Sequence, residues 1–524
     1  MLYRLPHVRY FEVDDESAIS FPDIWPRRSV RSDAAIWCGR ANLAVPMSTV
    51  LAIDQGTSGT KAVVVSPDGE VLGISELPVR PRFLSDGGVE HDPGEILHSV
   101  LAAGRAALAQ ARTASDIEVD IVTLANQGET VLAWDPATGV PLTPMIVWQD
   151  RRAASVCARL AGHKDQIAER TGLALDPYFS APKLAWLREH LCTEGVVTTS
   201  DTWLLHQLTG EFVTDVSTAS RSLLLDLDIR EWDRELLELF GLAEEKLPTI
   251  CGSDQIIGQT RAFGGEISVG GLIVDQQAAL IAQSGLQRGE AKCTFGTGAF
   301  LLANTGTTAQ RSTAGLAASV AWSVAEQPAY CIDGQVYTAA SAIRWMENLG
   351  FIEHAGDLDG VSEPSSEGVF AVPALAGLGA PWWRPQARAA LVGMGLSTGT
   401  GHIVRAVLEG IAAQVAELGE LVGRDIDRPL SRLRVDGGLT RSRVLMQAVA
   451  DLMQIPIEVY PSPHATPLGA AALARIAHRP GTALEQAIVG WQPASVYEPR
   501  WSPERAAEFR ATWRALAEST QPTH

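Results

Sequence analysis

No GxxxxGK[ST] segment occurs anywhere in the 524 residues, which removes the P-loop route to nucleotide binding. Long apolar runs are missing too: none reaches the ~18 residues needed to span a bilayer, so no membrane span is expected. Cysteine is sparse. Cys38, Cys157, Cys192, Cys251, Cys293 and Cys331 are scattered without a CxxC pair, which reads as reduced core thiols of a cytoplasmic protein. The 11 histidines form no HExxH cluster, so structural zinc is not expected. Basic residues are in deficit, 42 Lys and Arg against 61 Asp and Glu, for a net charge of -19. That balance disfavours nucleic acid or an anionic membrane as partner, yet leaves room for a locally positive site that takes a phosphorylated ligand.

What is present is a globular composition, 46% hydrophobic and 20% charged, in a chain long enough for two or more domains. Three apolar strands run into glycine turns. The first is Leu51-Ala52-Ile53-Asp54-Gln55-Gly56-Thr57-Ser58-Gly59-Thr60-Lys61, followed by a second apolar strand from Ala62 to Val65. This reads as a hairpin whose turn amides and hydroxyls can cradle an anion, beside an aspartate suited to Mg²⁺ held largely through water. The second is Gly296-Thr297-Gly298 and the third is Val435-Asp436-Gly437-Gly438. A fourth feature is the short apolar strand Gly271 to Val274, which delivers Asp275 to the start of a helix. Strand ends are where clefts of α/β proteins open.

Four further segments complete a pattern: Tyr178-Phe179-Ser180-Ala181-Pro182-Lys183, Asp275-Gln276-Gln277-Ala278-Ala279-Leu280, Gly377-Leu378-Gly379-Ala380-Pro381-Trp382-Trp383 and Leu468-Gly469-Ala470-Ala471. Together with the glycine turns, and in this order, the chain resembles the FGGY family of carbohydrate kinases, closest to its glycerol kinases, from about Met47 to Ala474. The resemblance implies an α/β fold of two ribonuclease H-like (actin-like ATPase) domains with a cleft between them. The expected organisation is an extension or misassigned start over 1–46, a polyol- and phosphate-binding domain over 47–287, a nucleotide-binding domain over 288–478, and a helical tail over 479–524 that packs on the surface. A homo-oligomer is the expected assembly.

By this resemblance Asp275 accepts the proton of the substrate hydroxyl and Gln276 hydrogen-bonds the polyol. Asp54 and Asp275 hold Mg²⁺. Gly56, Thr57, Ser58, Gly296, Thr297 and Gly298 line the phosphates of ATP, and Gly438 packs against the adenosine end. Glu129 accepts hydroxyl hydrogen bonds, Trp148 presses on the carbon chain, Tyr178 meets a hydroxyl and Phe300 adds an apolar wall. The chain also departs from the pattern. Gly128 stands where glycerol kinases carry an arginine, Val274 where they carry a glycine, and on the nucleotide side Ala340, Arg344 and Ser442 replace a glycine, a glutamine and an asparagine.

The expected activity is therefore ATP-dependent phosphorylation of a terminal hydroxyl of glycerol or a related polyol or sugar. The alternatives are a kinase of a larger polyol or ketose, an inactive sugar-binding regulator, and an actin-like ATPase that drives conformational work. Asp54 and Asp275 together argue against the regulator, and Glu129, Trp148 and Tyr178 against the ATPase. Loss of the arginine at 128 predicts a roomier pocket, unless Arg151 or Arg152 reaches in to replace it. Residues 1–46 lack sustained periodicity, so a chain beginning at Met47 is expected to match the full chain in solubility and activity. Loss of soluble, active protein on deleting residues 1–46 would contradict this.

Overall fold

The computed structural model describes residues 47–520 apart from residue 115; the expected extension over 1–46 lies outside the described residues. Two seven-stranded mixed sheets organise the rest. The first contains β1 (Val50–Gln55), β2 (Gly59–Val65), β3 (Val71–Pro78), β4 (Ile121–Asn126), β5 (Ile256–Thr260), β6 (Ile267–Gly270) and β7 (Ile273–Val274). Its order is β5-β6-β4-β1-β2-β3, with β7 also paired to β4. The second contains β8 (Ala291–Phe295), β9 (Ala299–Gly306), β10 (Ala317–Val324), β11 (Gln327–Val336), β12 (Leu433–Asp436), β13 (Ile457–Val459) and β14 (Ser495–Tyr497), in the order β10-β11-β9-β8-β12-β13-β14.

The two sheets repeat one plan. In each, an antiparallel hairpin (β1-β2, β8-β9) extends to a third antiparallel strand (β3, β11). On its other side the first strand is flanked by two successive parallel partners (β4 and β6, β12 and β13), and an antiparallel edge strand closes the sheet (β5, β14). The expected duplication is thus present in topology, although no identity between the halves is visible in the sequence. A smaller five-stranded sheet, Arg82–Phe83, Val89–His91, Met145–Ile146, Val131–Trp134 and Val196–Thr199, adds to the first half.

Helix α1 (Pro93–Ala114) follows from its sequence. Proline sits at its first position, and Asp92 Oδ1 accepts from the backbone N–H of Gly94 and Glu95. Ile96, Val100, Ala103, Ala107 and Ala111 recur at helical spacing and are fully buried against the first sheet. Further on, α2 (Asp275–Ala282) starts at the end of β7, and α3 (Thr400–Asp425), α4 (Arg443–Met453) and α5 (Ala465–His478) complete the second half. α5 is alanine-rich and buried nearly all round. It lies on the first sheet, with Ala471, Ala474 and Ala477 packed among Val50, Ala52 and Val63, while Ala470 and Leu473 share a core with Leu302, Ala321 and Cys331 of the second sheet.

The tail is more than a helix lying on the surface. Ser495–Tyr497 extends the second sheet, and α6 (Pro503–Ser519) buries Trp513 fully, its Nε1 donating to Ala371 O at 2.8 Å. Ala506, Trp513 and Ala517 form the buried face of this helix, with Phe509 and Leu516 packed beside them.

The helix α5 approaches α2 backbone to backbone at Gly469, where a Cβ would lie 1.8 Å from Ala278 O. No side-chain rotation relieves that contact, so Gly469→Ala should destabilise the protein by at least ~3 kcal/mol, the upper range of overpacking costs. Gly438→Ala, which meets nothing within 4 Å, should leave the denaturant midpoint unchanged. Equal midpoints for the two variants would contradict this account of the crossing.

Candidate active site

Parallel pairing brings three strand ends to one edge. Asp54 of β1 is in register with Ala125 of β4, and Ala125 with Ile273 of β7. The residues that follow, Asn126 to Glu129 and Asp275, therefore emerge beside Asp54. In the second sheet Thr294 of β8 is in register with Asp436 of β12, so the two remaining glycine turns also emerge together. Between them lies a cleft of about 600 Å³. Of the residues expected from the sequence, Thr57, Ser58, Glu129, Trp148, Tyr178, Asp275, Gln276, Gly296, Thr297 and Phe300 line it. Asp54, Gly56, Gly298 and Gly438 do not.

Charge dominates this edge. Burial, and next the neighbouring Asp275, push the Asp54 carboxyl up to about 7. Burial also raises Asp275, partly offset by the ammonium of Lys292. Lys292 Nζ donates to Gln276 Oε1 at 2.5 Å and to Thr294 Oγ1 at 2.8 Å, and Thr294 Oγ1 donates to Asp436 Oδ1 at 2.5 Å. Gln276 thus has its oxygen engaged, and its side chain also hydrogen-bonds the Asp275 carboxylate.

The polyol side is an aromatic box with a polar wall. The Trp148 ring meets Tyr178 edge-on at 5.6 Å and Phe300 at 5.9 Å, the latter reaching over from the second half. Trp148 Nε1 donates to Thr57 Oγ1 at 2.8 Å, and that hydroxyl donates on to Gln127 Oε1 at 3.1 Å. The Thr57 hydroxyl therefore ties the phosphate turn to the polyol box, and Ser58, which is exposed, keeps its own hydroxyl free of protein partners among the described residues. Glu129 has a left-handed backbone (φ 41°), a conformation that costs about 1–3 kcal/mol and is held by its surroundings. Burial raises its carboxyl to about 6 despite the adjacent Arg221.

Arg221 is the main residue that sequence reasoning missed. It is buried, lines the cleft, donates from Nε to Glu129 and from Nη1 to Asp333 Oδ1 at 2.8 Å. Asp333, on β11, also accepts from Gln335 Nε2. Arg221 and Asp333 sit 92 and 112 positions apart in sequence from their partners, and neither follows a glycine turn, so no local signal marked them. Arg151 and Arg152, the alternative sources of a guanidinium in place of the one missing at 128, do not line the cleft. Arg151 pairs with Asp176 at 2.9 Å and Arg152 with Asp150 and Glu90.

The glycines divide by role. At Gly298 a Cβ would meet Val336 O at 2.4 Å, so strand packing demands it. At the third turn the residue required by the backbone is Gly437, with φ 94° and a Cβ position 2.4 Å from Phe295 O, whereas Gly438 faces open space. Of the departures on the nucleotide side, Arg344 is exposed and lines the cleft beside Thr297. Ser442 caps α4 and donates to Asp359 Oδ1 at 2.8 Å, a structural role.

Comparison with known proteins agrees with this arrangement. The FGGY family of carbohydrate kinases, N-terminal domain, matches residues 49–282, and its C-terminal domain matches residues 291–478. A glycerol kinase of Bordetella parapertussis is 41% identical over 490 residues, covering 90% of this chain and 96% of that one. A glycerol kinase of Delftia acidovorans is 39% identical over 495 residues, covering 90% and 99%. The crystal structure of Plasmodium falciparum glycerol kinase with ADP superposes with a TM-score of 0.83 at 31% identity, covering 91% of this chain and 99% of that one. A ligand-bound xylulose kinase of Lactobacillus acidophilus, 21% identical with a TM-score of 0.80, shares the fold. The chain belongs to the FGGY family of carbohydrate kinases and is an ATP-dependent kinase of a sugar or polyol.

Proposed function

We propose that this kinase transfers the γ-phosphoryl group of ATP to a terminal hydroxyl of glycerol or a closely related polyol, with Asp275 accepting the hydroxyl proton. The observation that carries the proposal is the meeting of Asp275 with two glycine turns and the Glu129–Trp148–Tyr178 box in one cleft. A carboxyl whose proton affinity is raised by burial is the better base near neutral pH, and its place at the end of β7 fixes its direction. Trp148 and Phe300 supply faces for a carbon chain, Glu129 and Tyr178 polar groups for its hydroxyls, and the amides of Thr57 and Ser58 and of the turn at 296–298 donors for phosphate oxygens.

The donor set at Asp54 and Asp275 fits Mg²⁺. Burial raises both carboxyls and Asp275 raises Asp54 further, so a cation held there would favour their charged forms. Among the described residues no group of three or more metal-ligating side chains is assembled, which suits an ion carried in on phosphates and held by one or two carboxylates and water. When bound, Mg²⁺ supplies charge neutralisation of the phosphates. The five described cysteines are free thiols, in keeping with a reducing, cytoplasmic setting.

A second reading, a substrate longer than glycerol, is favoured by Gly128. The missing guanidinium takes away charge-assisted hydrogen bonds worth roughly 1.5–3 kcal/mol, or about one to two decades in affinity. Arg221, Asp333 and Gln335 add polar groups deeper in the same region.

Asp275→Asn should lower kcat by ~10²–10⁴-fold while calorimetry shows nucleotide binding unchanged. Near-normal turnover in that variant would remove Asp275 from the mechanism. Specificity constants of the native enzyme for glycerol, erythritol and a pentitol separate the two substrates readings: a four- or five-carbon polyol should exceed glycerol by about tenfold or more if the pocket is enlarged, and a strong preference for glycerol would sink the enlarged pocket.

A further inference from the structure

The two positions at which the pocket departs from the family pattern meet in space. Gly128 has φ 65°, and the one atom within 4 Å of a Cβ built there is Val274 Cγ1, at 3.5 Å. Everything else around that position is open. Val274 is itself a lining residue of the cleft, and its backbone is fixed twice, by pairing with Asn126 and by the hydrogen bond of its N–H to Ser217 Oγ at 3.0 Å. The isopropyl group therefore stands at a defined place beside the space that a longer residue at 128 would enter.

Chemically this gives the pocket two unlike linings. Glu129, Arg221 and Asp333 present charged donors and acceptors, whereas Val274 presents methyl groups only. A substrate hydroxyl turned toward those methyl groups would give up its bonds to water and find no replacement, at a loss of roughly tenfold or more in affinity. A C–H face turned the same way would be buried favourably.

We infer that Val274 is a specificity-determining residue of this kinase. It selects polyols or sugars that lay a C–H face on its isopropyl group and gather their hydroxyls on the Glu129–Arg221–Asp333 lining. It does so jointly with Gly128, because a Cβ at 128 would stand in van der Waals contact with its isopropyl group. The inference rests on the reading of the cleft as a polyol or sugar site.

The test uses the full chain with four variants: Val274→Thr, which exchanges a methyl for a hydroxyl at constant shape, Val274→Gly, Gly128→Arg, and the last two combined. Binding of glycerol, erythritol and threitol is followed by tryptophan fluorescence, and ATP-dependent phosphorylation of the same three compounds is assayed separately. Val274→Thr should shift the erythritol-to-threitol ratio by about fivefold or more in binding and in kcat/KM. The effects of Gly128→Arg and Val274→Gly on glycerol should miss additivity by about tenfold, with the double variant the better glycerol binder. A ratio within about twofold of native in Val274→Thr, or independent action of the two positions, overturns the inference. Shifted binding without any phosphoryl transfer would sustain Val274 and sink the proposal that glycerol or a related polyol is the phosphoryl acceptor. Transfer with unshifted ratios would do the reverse, and binding of none of the three compounds would overturn both.

Discussion

Two buried cations hold together a cleft made of carboxylates. Lys292, from the second half, donates to Gln276 at the start of α2 in the first. Arg221, from the first half, donates to Glu129 of its own half and to Asp333 of the other. Without them, Asp275, Asp436, Glu129 and Asp333 would be desolvated like charges facing one another, and a buried charge stripped of its partner typically costs about 3–5 kcal/mol. Each cation spans the junction, so the electrostatics that make the carboxylates tolerable also fix how the halves meet.

The same junction is set sterically by small residues. α2 begins at Asp275, and α5 crosses it with backbone in contact with backbone at Gly469. α5 in turn lies on β1 and β2, whose connecting turn carries Thr57 and Ser58. Asp275, the phosphate turn and the second half are therefore parts of one packed unit, and a displacement at the crossing is felt where the chemistry takes place. The Trp148–Thr57–Gln127 chain adds a polar link between the polyol box and the phosphate turn.

The departures from the family pattern separate into two kinds. Ser442 is absorbed by the fold as a helix cap bonded to Asp359. Val274 and Arg344 line the cleft, and a Cβ at Gly128 would stand in van der Waals contact with Val274. Residues of the first kind preserve a scaffold, whereas those of the second kind alter what a ligand meets. The FGGY fold is kept while the lining of the cleft departs from the family pattern at Val274 and Arg344.

Local rules were sufficient for much of this. Alternating and continuous apolar runs ended by glycine turns announced β1-β2, β8-β9 and β12, and the Asp92-Pro93 start announced α1, because hydrogen bonding and backbone sterics act over a few residues. The resemblance carried by those turns pointed to Asp275, Gly296 and Thr297, which line the cleft, and to Asp54 and Gly298, which do not. What only the tertiary structure decided were contacts made across roughly a hundred positions of sequence. Arg221 finds Glu129 and Asp333, Val274 comes beside Gly128, and Trp513 finds Ala371. No periodicity encodes such partners: a side chain's charge fixes that it must be compensated when buried, but which partner compensates it depends on where the whole chain has brought the candidates together.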